Sequence, residues 1–493
     1  MDPNKPNRPS EQPAKQQSPN TPPNVSPTDV STQQTPTTPT PDTSTSTQTQ
    51  PSTISTEEKL VIQEAPKPKS KVLPILIVIL VLLGLSALGY WIYGKQLFKE
   101  TIQTKHSSEE KLVGINSIVD ANNQFAFDYY FKLKEKEGGN IFFSPFSISS
   151  ALAMTYEGAR NKTAEEMISV FHFPKNDNLR RTEYANVYNE INKEDKKYEL
   201  KIANALWVQE DYKFLKDYLD VVEKYYAGKA TNLDFVKDTE NSRLTINNWV
   251  EEQTNNKIID LIPQDALNKM TRLVLTNAIY FKGEWVKQFN KDDTKETDFR
   301  VSNNDIVKAE MMQRTDEEAK FNYYENDNLQ ILELPYSGEE LSMLILLPKN
   351  DDLATLESLL NISKLSEWKN NLENQRVKVY IPKFKFETKY IMTGDLKEMG
   401  MPIAFSSDAN FSGMDGTENL FISNVIHQAF VEVNEEGTEA AAATAVIIEY
   451  RSSVSNALEI PVFRADHPFI FIIQENASGN ILFIGRVASP TLN

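Results

Sequence analysis

The chain has 493 residues, no cysteine, four histidines and a formal net charge of -17. The lack of thiols excludes disulfides, thiolate metal sites and a cysteine nucleophile. The acidic balance argues against nucleic acid as a partner, because phosphate neutralisation needs basic patches and none stands out.

The composition changes along the chain. Residues 1–71 are dominated by Pro, Thr, Ser and Gln, which cannot bury enough apolar surface to offset ordering entropy, so this segment reads as a disordered tail. Residues 72–94 carry no charge and are long enough for a transmembrane helix, which needs ~20 apolar residues. Tyr90, Trp91 and Tyr93 sit at the end of this run, as an interfacial aromatic belt would. Lys67, Lys69 and Lys71 precede it more tightly than Lys95 and Lys99 follow it. That bias places the tail inside and the C-terminal part outside, a single-pass protein at the cell surface. Residues 95–112 then read as a juxtamembrane linker.

Residues 113–493 have an ordinary globular composition and no internal repeat, and one continuous domain is the simplest division. Helix-spaced apolar residues predict helices over Ile115–Lys136, Phe146–Glu157 and Asn241–Asn255. Thr163 and Glu166 have the spacing of a capping box opening another. Short apolar, β-branched runs predict strands at 200–208, 272–282, 329–334, 341–347 and 377–381. Runs 469–473 and 481–487, split by Glu475–Asn480, predict a hairpin. Helices mostly first and strands mostly later indicate an α+β fold with antiparallel sheets.

The usual catalytic signatures are missing: no nucleophile elbow, zinc-binding His-Glu-x-x-His, phosphate loop or dinucleotide fingerprint occurs. His106, His172, His427 and His467 have no ligand-like spacing, so no metal and no cofactor are expected. One segment stands apart, FVEVNEEGTEAAAATAVIIEY at 430–450. Its alanines suit a surface helix by propensity. Extended, the same residues put Thr438, Ala440, Ala442 and Thr444 on one strand face and Glu439, Ala441 and Ala443 on the other. Such small side chains let a strand slip between two others, with Gly437 free to swing at its base.

Four long segments carry a family resemblance. VEVNEEGTEAAAATA resembles the hinge of inhibitory serpins, the large serine-protease-inhibitor family. PVFRADHPFIFIIQENASGNILFIGRVASP, at 461–490, resembles their C-terminal signature; NIFFSPFSISSALAMTYEGARNKTAEEM, at 140–167, their helix B region; and LVLTNAIYFKGEW, at 273–285, the central strand of their main sheet. The resemblance implies three mainly antiparallel β-sheets, eight to nine helices and an exposed C-terminal reactive loop. It also implies an inhibitor rather than an enzyme. A target protease cleaves the loop and is trapped as an acyl-enzyme, in a covalent 1:1 complex with a monomer, when the loop inserts into the main sheet. The hinge is then Glu435, Glu436, Gly437, Thr438, Glu439, Ala440, Ala441, Ala442 and Ala443. The bait bond, about fourteen residues beyond the hinge glycine, falls at Arg451-Ser452, and an arginine there suits the carboxylate of a trypsin-like specificity pocket. The stretch from Arg451 to Phe469 is longer than usual in the family, which leaves Tyr450-Arg451 or a bond slightly downstream open. Ser144, Ser147, Asn277 and His427 match positions that gate opening of the main sheet, and Trp285 one beneath the loop's entry point. Inhibition of a papain-like cysteine protease and a non-inhibitory carrier or chaperone role are the alternatives.

Overall fold

The apolar, β-branched runs form strands because their alternate side chains reach two different cores. A computed structural model describes residues 117–193, 196–438 and 460–491. Its seventeen strands, numbered in chain order, make three sheets. The six-stranded sheet runs β12 (Phe384–Ile391), β13 (Ile422–Val433), β14 (Gly437–Thr438), β4 (Leu273–Glu284), β2 (Tyr198–Gln209), β3 (Lys229–Leu233). The seven-stranded sheet runs β1 (Ile141–Phe143), β17 (Ile481–Val487), β16 (Phe469–Glu475), β9 (Leu341–Pro348), β8 (Leu329–Pro335), β7 (Lys320–Glu325), β10 (Glu373–Arg376). The four-stranded sheet runs β15 (Val462–Arg464), β11 (Lys378–Pro382), β6 (Asp305–Arg314), β5 (Lys295–Ser302). Pairing is mainly antiparallel, with β2–β3, β4–β13 and β11–β15 parallel. The predicted terminal hairpin is present as β16–β17.

The six-stranded sheet is covered on both faces. On β2, Leu200, Leu206 and Val208 enter the large core. Ala203, Ala205 and Trp207 enter a second core, closed by Ile246 and Val250 of the helix Thr239–Gln253. Such two-sided burial explains why this strand is nearly continuously apolar. The helix Pro145–Tyr156 lies on the large-core side and is buried over almost its whole length. Ser144 caps it by accepting a hydrogen bond from the Ser147 backbone N–H at 3.2 Å.

Ten α-helices occur among the described residues, slightly more than expected; several are short, such as Thr393–Met399 and Ser412–Asp415. The expected capping box is a correction. The helix begins earlier, at Asn161, without a side-chain cap. Thr163 instead accepts from the Asn410 N–H at 2.9 Å and Glu166 from the Ile403 N–H at 2.9 Å. Both side chains tie the helix to a distant segment, and tertiary demand overrides the local motif.

The expectation of a single-pass membrane protein with an extracytoplasmic domain is also corrected. Among the described residues no helix is long and apolar enough to cross a membrane. The longest, Ile118–Lys134, carries Asp120, Asp128, Lys132 and Lys134 along its length. The tail 1–71, the run 72–94 and the linker 95–112 lie outside the described residues.

Candidate functional site: the main sheet and its hinge

The parallel pair β4–β13 runs from Ile422 opposite Leu273 to Ala429 opposite Ile279, with a bulge between Ile422 and Asn424 and continuous register from Asn424 opposite Val274 onward. Beyond that the two strands part, and the chain after β13 turns back into the gap. Thr438 pairs with Val433 on one side and Gly283 on the other, and Gly437 pairs with Glu284. Two residues of an antiparallel strand are thus already seated between the central strands.

Several features fix this turn. The Asn434 carboxamide oxygen accepts from the N–H groups of Glu436 and Gly437, at 3.0 and 3.2 Å, an Asx-type turn. A Cβ on Gly437 would lie 2.0 Å from the Gly283 carbonyl oxygen and 2.7 Å from Glu284 Cα. Only glycine lets the backbones meet this closely. The Trp285 N–H donates to the Glu436 carbonyl and the Phe289 N–H to that of Glu435, both at 2.8 Å. Trp285 Nε1 donates to the Asn434 carbonyl at 3.0 Å, and its ring stacks on Tyr336 at 4.6 Å. The Tyr336 hydroxyl lies 2.7 Å from that of Thr438. Burial raises the Tyr336 phenol pKa, keeping it a neutral hydrogen-bonding group.

Glu435 and Glu436 are buried, at 4% and 5% exposure. Glu435 accepts from the Thr294 hydroxyl at 2.7 Å and faces Lys383 Nζ at 3.5 Å. Glu436 meets Lys291 Nζ at 2.5 Å. A cavity of about 440 Å³ lies alongside, which Glu310, Glu432 and Asn434 also line.

The sheet is closed lower down by a polar row. Tyr390, His427, Asn277 and Asn204 stand opposite one another on β12, β13, β4 and β2. The Ser144 N–H donates to His427 Nε2 at 3.2 Å, so Nδ1 carries the proton and donates to the Asn277 side-chain oxygen. Asn277 Nδ2 reaches the Ser147 hydroxyl at 2.5 Å and also Asn204 Oδ1. Asn204 Nδ2 donates to the Ser150 hydroxyl at 2.6 Å. His427 is fully buried, and that burial pulls its pKa down to about 3. The row is therefore uncharged and internally satisfied, as a buried polar network must be to hold a structure together.

The structure thus brings Ser144, Ser147, Asn277 and His427 into one cluster, and puts Trp285, Glu435, Glu436, Gly437 and Thr438 together at the mouth. Glu439, Ala440, Ala441, Ala442, Ala443, Arg451 and Ser452 lie outside the described residues. Sequence reasoning missed Asn204, Tyr390, Tyr336 and Lys291. Asn204 carried a usable signal, a single carboxamide amid the apolar residues of LKIANALWV. Lys291, one of many surface lysines, carried none.

Residues 120–490 match the family profile described as "Serpin (serine protease inhibitor)". An uncharacterized serpin-like protein of Methanosarcina acetivorans is 44% identical over 391 residues, covering 78% of this chain and 91% of its own. The human leukocyte elastase inhibitor is 42% identical over 385 residues, covering 76% of this chain and 100% of its own. Among solved structures, uncleaved ovalbumin matches with a TM-score of 0.69 at 36% identity, covering 76% of this chain and 100% of that one. Profile, relatives and architecture agree: this chain belongs to the serpin family.

Proposed function

We propose that this protein is a serine-type endopeptidase inhibitor that works as a suicide substrate, with Arg451-Ser452 as bait for a trypsin-like protease. The protease serine attacks the Arg451 carbonyl. The Arg451–Ser452 peptide bond breaks, the Ser452 amine leaves with a proton, and an ester joins Arg451 to the protease. The loop from Glu439 onward then enters the six-stranded sheet as a full strand between β13 and β4, drawing the tethered protease away before water hydrolyses the ester. New main-chain hydrogen bonds and buried apolar surface drive the step.

One observation carries this reading: Gly437 and Thr438 already occupy the start of that strand, Gly437 paired with Glu284 and Thr438 paired on both sides. The residues that follow, Glu439 and Ala440 to Ala443, are small or alternate outward, so insertion continues without steric conflict. The human leukocyte elastase inhibitor is by its name an inhibitor of a protease, which favours the same direction. Incubation with trypsin, followed by a denaturing gel, tests the proposal. It predicts a stable band at the summed mass of both proteins; loop cleavage with no such band contradicts it.

A further inference from the structure

We propose that Lys291 and Glu436 are positioning residues for the reactive loop, forming an ion pair that keeps the hinge docked in the sheet before any protease arrives. This rests on the reading of the loop as bait. Glu436 is only 5% exposed, although it belongs to a segment that must change conformation. A carboxylate withdrawn from water that far needs a cation or strong donors. Lys291 Nζ at 2.5 Å supplies that cation. The lysine stands on a short turn, Lys291–Asp293, which Asn290 braces by accepting from the Asp292 N–H at 3.1 Å.

The pair is asymmetric. Lys291 is more than half exposed, so it gains little itself and salt screens it. Glu436 depends on it. Without Lys291, the adjoining cavity holds Glu310, Glu432, Glu435 and Glu436 against Lys383 as the remaining cation lining it. Glu436 then regains water by lifting out of the mouth, with Gly437 and Thr438 following. Lifting frees more chain between β13 and β15 and so presents the bait bond with less restraint. The docked state is therefore the slow state toward protease, and the Lys291–Glu436 pair sets its population.

The test is a charge cycle on the full chain: Lys291→Ala, Glu436→Gln and the double variant. Two quantities are read, amide exchange at Trp285, Phe289 and Gly437, and the second-order rate of covalent complex formation with trypsin. Lys291→Ala is expected to speed both by roughly 5- to 10-fold, because the buried carboxylate loses its counter-charge. Glu436→Gln removes the buried charge together with its need for compensation and is expected to speed both less than Lys291→Ala does, and the double variant is expected to match Glu436→Gln rather than Lys291→Ala. A purely structural lysine would show no such rescue. Unchanged exchange in Lys291→Ala, or a double variant that matches it, overturns the proposal. If trypsin forms no complex with any of the proteins, the inhibitor reading fails, and the exchange data alone decide whether the pair holds the hinge.

Discussion

The two ends of the β4–β13 seam are built oppositely. At the mouth, contacts to the hinge are made largely through backbone carbonyls of Asn434, Glu435 and Glu436 and through solvent-facing lysines. At the polar row, neutral side chains on three strands and one helix are bonded to one another in full burial. An ionic, partly wet contact yields to water and salt, whereas a dry neutral network opens only by exposing unsatisfied groups. On the proposed insertion mechanism, this difference sets an order of events: the sheet would open from the mouth downward, with the row as the barrier to the advancing loop.

The largest expected effect lies in the advancing strand. On the proposed insertion, Ala442→Arg would carry a charge into the sheet interior. The account predicts loss of the covalent complex and conversion to a cleaved substrate; surviving inhibition in a gel assay would break the link between the mouth and the row.

The next effect is pH dependence at the row. His427 has an ordinary pKa of about 6.5 when unfolded and about 3 when buried. Between these values the unfolded chain binds the extra proton, so stability falls as pH drops from about 6.5 toward 3, by up to roughly 4–5 kcal/mol. His467 behaves oppositely. Burial lowers its pKa, but Asp466, the Pro348 carbonyl and Asp351 more than offset this and raise it. Its contribution is present below about 6.5 and is lost as pH rises through the folded value. Denaturant titrations across pH 3–8 should show the His427 slope, and His427→Gln should flatten it below pH 6.5.

A smaller effect is expected from Asn277→Ala. It strips partners from His427, Ser147 and Asn204 at once and should cost about 2–3 kcal/mol. Equilibrium unfolding at neutral pH measures this. A change below about 0.5 kcal/mol would show that the row is not the barrier.

Much of this architecture was legible in the chain. Strands such as β2, β4, β9, β16 and β17 announced themselves as long apolar runs because both their faces are buried. Ser144, Ser147, Asn277 and His427 could be singled out because the motifs that carry them are long and ordered, and the structure brings them into one cluster; their gating role belongs to the proposal. The capping box at Thr163 misled because its hydroxyl serves a segment nearly 250 residues away. Tyr336 and Lys291 were invisible for a related reason: their partners, Thr438 and Glu436, come close only through the return of the chain into the sheet. Such pairings follow from topology and not from spacing.

Thermal unfolding of intact against loop-cleaved protein reads out whether the loop becomes a strand between β4 and β13. A newly completed strand adds ladder hydrogen bonds and buried surface, so the cleaved form is predicted to melt at a temperature higher by tens of degrees. An unchanged or lower midpoint after cleavage at Arg451 would mean that the loop adds no strand to the sheet.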